Sequence, residues 1–115
     1  MNTLVKILLS SIAVVIASYL LPGVYVDDFI TAVIIAVLLS LLNITVKPLL
    51  IILTIPITVF TLGLFLLVIN GIIIMIASAI VSGFVVDGFF WALIFSLVLS
   101  LINALLADLT KEGQK

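Results

Sequence analysis

Ser40, Asn43 and Lys47 sit three and four residues apart in an otherwise apolar run, and Ala32 and Ala36 continue that spacing upstream. A second run repeats the pattern with Ala92, Ser96, Ser100, Asn103 and Ala107. Steps of three and four put each set on one helical face, as a stripe of small and hydrogen-bonding side chains. Asn70, in "LVINGII", stands alone about eight residues into its run, hence roughly 12 Å deep. Hydroxyls and amides of this kind offer hydrogen bonds. Their plainest use is a seam that lets helices approach closely and bond across the contact. A polar lining for a pore or solute path is the sharper use, and an oligomer contact is the third. An amide in hydrocarbon is costly unless bonded, so Asn70 is expected to face Asn43, Asn103, a threonine face or another subunit.

Other chemistry is scarce. The 115 residues contain no His, Cys or Arg, which removes most metal sites, thiol reactions and the usual general base. No cofactor motif is present, and enzymatic activity is not expected. A net charge of −1 without a basic cluster leaves no footprint for nucleic acid. No Asp, Glu or Lys falls in the middle of an apolar run, so a proton relay or ion-coupled carrier has no machinery here.

The elements that carry these residues must lie in lipid. The chain is 67% hydrophobic and 8% charged, with a mean hydropathy of +1.73, against about 25% charged in soluble domains. Too little polar surface exists to cover a globule. The N-terminal stretch "MNTLVKILLSSIAVVIAS" has the outline of a signal peptide, but it takes part in an internal repeat and is expected to stay as a helix.

That repeat emerges on sliding the chain by sixty residues. Between Ser18–Leu50 and Ser78–Thr110, twelve of 33 positions are identical, where composition alone predicts about three or four. The shared residues include Gly23/Gly83, Asp27/Asp87, Ser40/Ser100 and Asn43/Asn103; Asn70 has Ser10 as its counterpart. The pattern describes a duplicated helix–turn–helix. Gly23 and Gly83 are expected to end helices in the left-handed conformation, and Asp27 and Asp87 to cap the next ones. Between them "VYV" and "FVV" predict an extended piece in each turn, and the two pieces can pair as a minimal ribbon.

About 20 apolar residues cross a bilayer, and Leu4–Leu21, Phe29–Val46, Leu62–Val81 and Phe89–Ala107 qualify. The expected fold is an all-α polytopic membrane protein: one membrane domain with four transmembrane helices arranged as two parallel hairpin repeats, about 4–46 and 62–107, and a polar tail at 108–115. Residues 47–61 join the repeats. There Pro48 can start a helix and Pro56 should break one, so the linker is re-entrant or interfacial, with a fifth crossing as the alternative. Four crossings put Lys6, Lys47, Lys111 and Lys115 on one side and Asp27, Asp28 and Asp87 on the other. The positive-inside rule then places both termini in the cytoplasm.

The runs "NITVKPLLIILTIPITVFTLGLFLLVIN" and "GFVVDGFFWA" resemble the mycobacterial-type four-transmembrane phage holins of superfamily IV, a family with many bacterial chromosomal members. Lys47 stands where family members often carry Arg before the proline. The resemblance covers roughly Ser18 to Leu106. It implies a multi-pass protein of the bacterial cytoplasmic membrane that oligomerises and opens lesions for a lytic enzyme. The expected partners are the lipid bilayer and further copies of the chain. A non-lytic structural or regulatory role in envelope maintenance or lipid interaction is the alternative, and a small passive transporter a third.

Overall fold

A computed structural model describes residues 2–113, with side chains placed through residue 109. Lys115 lies outside the described residues, as does the side chain of Lys111. The element order is α1 (Thr3–Leu20), β1 (Val24–Val26), α2 (Phe29–Leu53), α3 (Ile55–Phe60), α4 (Phe65–Ile80), β2 (Phe84–Val86) and α5 (Phe89–Gly113). Three helices, α1, α2 and α5, are long and apolar enough to cross a membrane, and α4 is a shorter apolar helix.

The helices pack in a ring: α1 against α2 and α5, α4 against α5 and α2. Small residues set the spacing. Ala13, Ala17, Ala32, Ala77 and Ala92 are fully buried where helices meet, and small side chains let membrane helices approach closely. Ile35, Ile69, Phe84 and Phe95 fill what remains, and the two phenylalanine rings stand 5.6 Å apart at a 52° tilt. The outer faces are apolar too. Leu4, Leu8, Ile12 and Ile16 form one exposed row on α1, and Leu97, Leu101, Leu105 and Leu109 another on α5. A helix that is apolar all round belongs in lipid.

One end of the ring is closed by a two-stranded antiparallel ribbon with Val24 opposite Val86, Tyr25 opposite Val85 and Val26 opposite Phe84. A shift of sixty residues exchanges the two outer pairs and carries the central pair, Tyr25 and Val85, onto itself. The flanking bonds are reciprocal: Asp27 N donates to Gly83 O at 3.0 Å, and Asp87 N to Gly23 O at 2.8 Å. The helix pairings are exchanged by the same shift, α1 with α4 and α2 with α5.

The turn residues act differently from the sequence expectation. Gly83 does have a left-handed φ of 91°, but Gly23 is not among the positive-φ glycines. What requires glycine at 23 is contact, because a Cβ there would fall inside the indole of Trp91. Nor does Asp27 cap α2. Its neighbour Asp28 does, accepting from Thr31 N and from Thr31 Oγ1, each at 2.8 Å. Capping geometry needs the residue immediately before the first helical one. Asp27 and Asp87 each lie one position too early, and Gly88, at the equivalent of Asp28, has no side chain to offer. Asp27 instead lies against Gly83: a Cβ on that glycine would stand 2.7 Å from Asp27 Oδ2.

The Asp28 cap carries a pH dependence. Its backbone bond from Thr31, and secondarily the hydroxyl bond, hold the carboxyl below its ordinary value. A depressed folded-state pKa means stabilisation that is complete above the unfolded value, about 3.9, and is lost as pH falls through the folded one. Thermal unfolding in detergent should therefore show an acid loss in that range. Asp28→Asn, which caps without titrating, should reduce that loss; an unchanged acid profile would contradict the cap's role.

The linker also departs from expectation. Pro48 does not start a helix; it lies inside α2, which runs on to Leu53. Proline forfeits one hydrogen bond, to the Ile44 carbonyl, whereas ending the helix in an apolar setting would strand several backbone groups. The break falls at Thr54, two residues before Pro56, which occupies the tolerant first turn of α3. Thr54 Oγ1 donates to Leu50 O at 2.7 Å, and Thr61 Oγ1 accepts from Phe65 N at 3.1 Å. The threonine hydroxyls thus satisfy the backbone at helix ends. Leu62, expected at the head of a span, is instead left-handed with φ 56° and 93% exposed. The segment assigned to a polar tail is helical as far as Gly113.

Candidate functional site

The ends of the bundle differ in charge because the helices alternate direction. Asp27, Asp28 and Asp87 flank the ribbon. Lys47 lies eighteen residues along α2 from Phe29, about 27 Å of helix away. At the ribbon end an open groove of about 510 Å³ is bordered by Tyr19, Tyr25, Asp27 and Asp28. The Asp27 carboxylate beside Tyr25 raises the phenol above its ordinary value, by hydrogen bonding first and charge repulsion second.

The polar stripes meet in the other half. A cavity of about 90 Å³ is lined by Asn43 and Lys47 of α2, Asn70 of α4, and Ser96, Ser100 and Asn103 of α5. A second, of about 70 Å³, is lined by Ser10 of α1, Ser40 and Asn43 of α2, and Asn103 of α5. Leu39 and Leu99 border both cavities. Below the second lies a more open hollow of about 230 Å³, where Lys6 and Ala107 join Ser10, Ser40 and Asn103.

All five seam residues named from the sequence, Ser40, Asn43, Asn70, Ser100 and Asn103, therefore converge on these two cavities. Gly23, Asp27, Gly83 and Asp87 stand apart at the ribbon, and Pro48 and Pro56 on the linker. Two lining residues, Ser10 and Lys6, were not assigned to the seam. Ser10 was reachable through its sixty-residue equivalence to Asn70; Lys6 has no such signal, since its equivalent is Leu66.

The two cavities correspond under the same sixty-residue shift. Leu39 exchanges with Leu99, Asn43 with Asn103, Ser40 with Ser100, Asn70 with Ser10 and Ile74 with Val14. Around the first cavity Lys47, Asn70 and Ser96 stand where the second side has Ala107, Ser10 and Ala36, while Lys6, in the hollow beside the second cavity, stands where the first side has Leu66. The larger cavity is lined by a lysine and three amides, the smaller by two amides and no lysine.

Hydrogen bonding separates these side chains from the other hydroxyls. Ser11 Oγ donates to Ile7 O at 2.7 Å, Thr45 Oγ1 to Leu41 O at 2.7 Å and Ser96 Oγ to Leu93 O at 2.8 Å. These bonds turn a hydroxyl back on its own helix. Among the described residues, the side chains of Ser10, Ser40, Asn43, Asn70, Ser100 and Asn103 make no hydrogen bond within the chain. None is a sealed, unsatisfied buried group either. They face open space and are free to bond to what enters it. Among the described residues no carboxylate lines these cavities, and none form a cluster of potential metal ligands. The site can bind and orient polar groups.

Comparison with known proteins gives the chain its relatives. The family model described as "Mycobacterial 4 TMS phage holin, superfamily IV" matches residues 1–105. The "Uncharacterized membrane protein YvlD" of Bacillus subtilis (strain 168) is 38% identical over 103 residues, covering 89% of this chain and 87% of that protein. The "Uncharacterized protein SCO3922" of Streptomyces coelicolor is 32% identical over 121 residues, covering 93% and 97%. No solved structure matches the chain.

Proposed function

The chain belongs to the mycobacterial 4 TMS phage holin family, superfamily IV, and from that premise we propose that it oligomerises in the bacterial cytoplasmic membrane and permeabilises it. The observation that carries this reading is the exposure of Ser40, Asn43 and Ser100 on membrane-spanning helices without a partner among the described residues. In hydrocarbon such groups seek bonds, each worth about 1 kcal/mol or less between helices. A second copy can supply them, and a ring of copies can line a wet lesion with them.

In this reading the two hairpins are a tandem duplication, related as parallel repeats about an axis along the membrane normal. The lysine end and both termini face the cytoplasm, following the positive-inside rule. The exposed Phe60 and Leu62 hold α3 in the interface on the lysine side.

A second reading, a non-lytic protein of envelope maintenance, is favoured by the closed protomer. Phe84, Phe95 and Ile35 fill the core above the cavities, so a single copy has no path through it. Induced expression in bacteria, with membrane potential and release of a cytoplasmic enzyme followed together, separates the two. Abrupt depolarisation with enzyme release supports the lesion; a steady potential at high membrane levels supports the second reading.

A further inference from the structure

We propose that the cavity bounded by Lys47 and Asn70 is a binding site for the phosphate of an anionic phospholipid in the leaflet at the lysine end. The site belongs to the single protomer and does not depend on whether copies assemble into a lesion.

The first argument is charge. Lys47 is half-buried, and among the described residues no carboxylate pairs with it. A lysine carried by a membrane-spanning helix is expensive unless it reaches the headgroups or an anion. Among the described residues every other polar group on the wall is a neutral amide or hydroxyl, and none of the amides is engaged. Asn43, Asn70 and Asn103 each present an NH₂ that donates twice. One ammonium and three amides, contributed by three helices, form a donor set that matches phosphate oxygens. It offers a metal cation no carboxylate.

The second argument is the divergence between the halves. The two related cavities differ in their walls: the larger is lined by a lysine and three amides, the smaller by two amides and no lysine, with Lys6 confined to the open hollow beside it. The lysine and the third amide, Lys47 and Asn70, line the same cavity wall. The third is size and position. About 90 Å³ admits a phosphate group but not a glycerol backbone with its acyl chains. Those chains have the apolar outer faces of the bundle to lie on, where exposed Leu41 and Leu66 flank the helices that carry Asn43 and Asn70. A lipid phosphate therefore fits with its tails outside, and the bilayer supplies it at high local concentration.

The test uses the full chain purified in a mild neutral detergent. Phosphatidylglycerol, phosphatidylcholine and inorganic phosphate are titrated separately, with lipid retention read by native mass spectrometry and thermal stability measured alongside. Phosphatidylglycerol should be retained at saturable stoichiometry and should raise the melting temperature. Lys47→Gln should weaken retention about tenfold, Asn70→Leu should weaken it too, and Lys47→Arg should keep it. Lys6→Gln, at the related hollow, should have the smaller effect. Equal retention by wild type and a folded Lys47→Gln overturns the site. Equal retention of phosphatidylcholine overturns the selectivity for an anionic lipid, and an equal saturable shift with inorganic phosphate alone overturns the lipid as ligand. If Lys47→Gln does not fold, loss of retention in Asn70→Leu with retention kept in Lys47→Arg supports the proposal, and unchanged retention in Asn70→Leu overturns it.

Discussion

Gly23→Ala should cost about 1–3 kcal/mol, the range of an overpacked core, although it adds one methyl group in a turn. The new Cβ would fall within the indole of Trp91. Neither side can yield freely. The carbonyl of Gly23 accepts from Asp87 N at 2.8 Å in the bond that closes the ribbon, and Trp91 packs partly buried against the core. Moving the glycine breaks the ribbon, and moving the ring opens the start of α5. Thermal unfolding in detergent should show a clear loss for Gly23→Ala. Trp91→Ala should lose packing of its own, but the double variant should be no worse than Trp91→Ala alone, because the clash has gone. Strictly additive losses would mean that the glycine is needed for some other reason.

Asn43→Leu combined with Asn70→Leu should have the opposite profile. These amides make no hydrogen bond among the described residues, so removing them strands no partner there, and leucine on the cavity walls adds apolar contact. The double variant should reach the membrane at wild-type levels and melt no lower than wild type. It should nevertheless lose depolarisation and enzyme release, because the polar wall that a lesion needs is gone. Loss of membrane level together with loss of leakage would assign these residues to folding. Full leakage at normal levels would remove the seam from the lesion.

Much of the architecture was legible because lipid enforces simple rules. Apolar runs long enough to span were countable, and the steps of three and four that place Ser40, Asn43, Ser100 and Asn103 on helical faces can be read without coordinates. The paired turns also carried the ribbon, since β-branched and aromatic triplets in equivalent positions were available to pair. Local chemistry misled at three points. Pro48 reads as a boundary by its cost in water, but an apolar surrounding makes continuation the cheaper course. In "VDDF" two adjacent aspartates compete for the cap, and only the start of α2 at Phe29 decides for Asp28. Gly23 reads as a conformational stop, whereas its requirement comes from a tryptophan sixty-eight residues away in sequence. The place of α1 was hidden for a related reason: Ser10, which lines the smaller cavity as Asn70 lines the larger, is an isolated polar residue with no stripe to announce its face.

The most direct measurement exploits the absence of cysteine from the chain. Single Ser100→Cys and Leu101→Cys variants, neighbours on α5 that are both exposed in the protomer, would be expressed and treated with a membrane-impermeant thiol reagent added outside the cytoplasmic membrane. Labelling is compared before and after the onset of depolarisation. If assembled copies line a lesion with the polar seam, Ser100→Cys becomes reactive only after depolarisation, while Leu101→Cys stays protected on the lipid side. Protection of Ser100→Cys throughout depolarisation, or equal reactivity at both positions, would contradict a lesion walled by this seam.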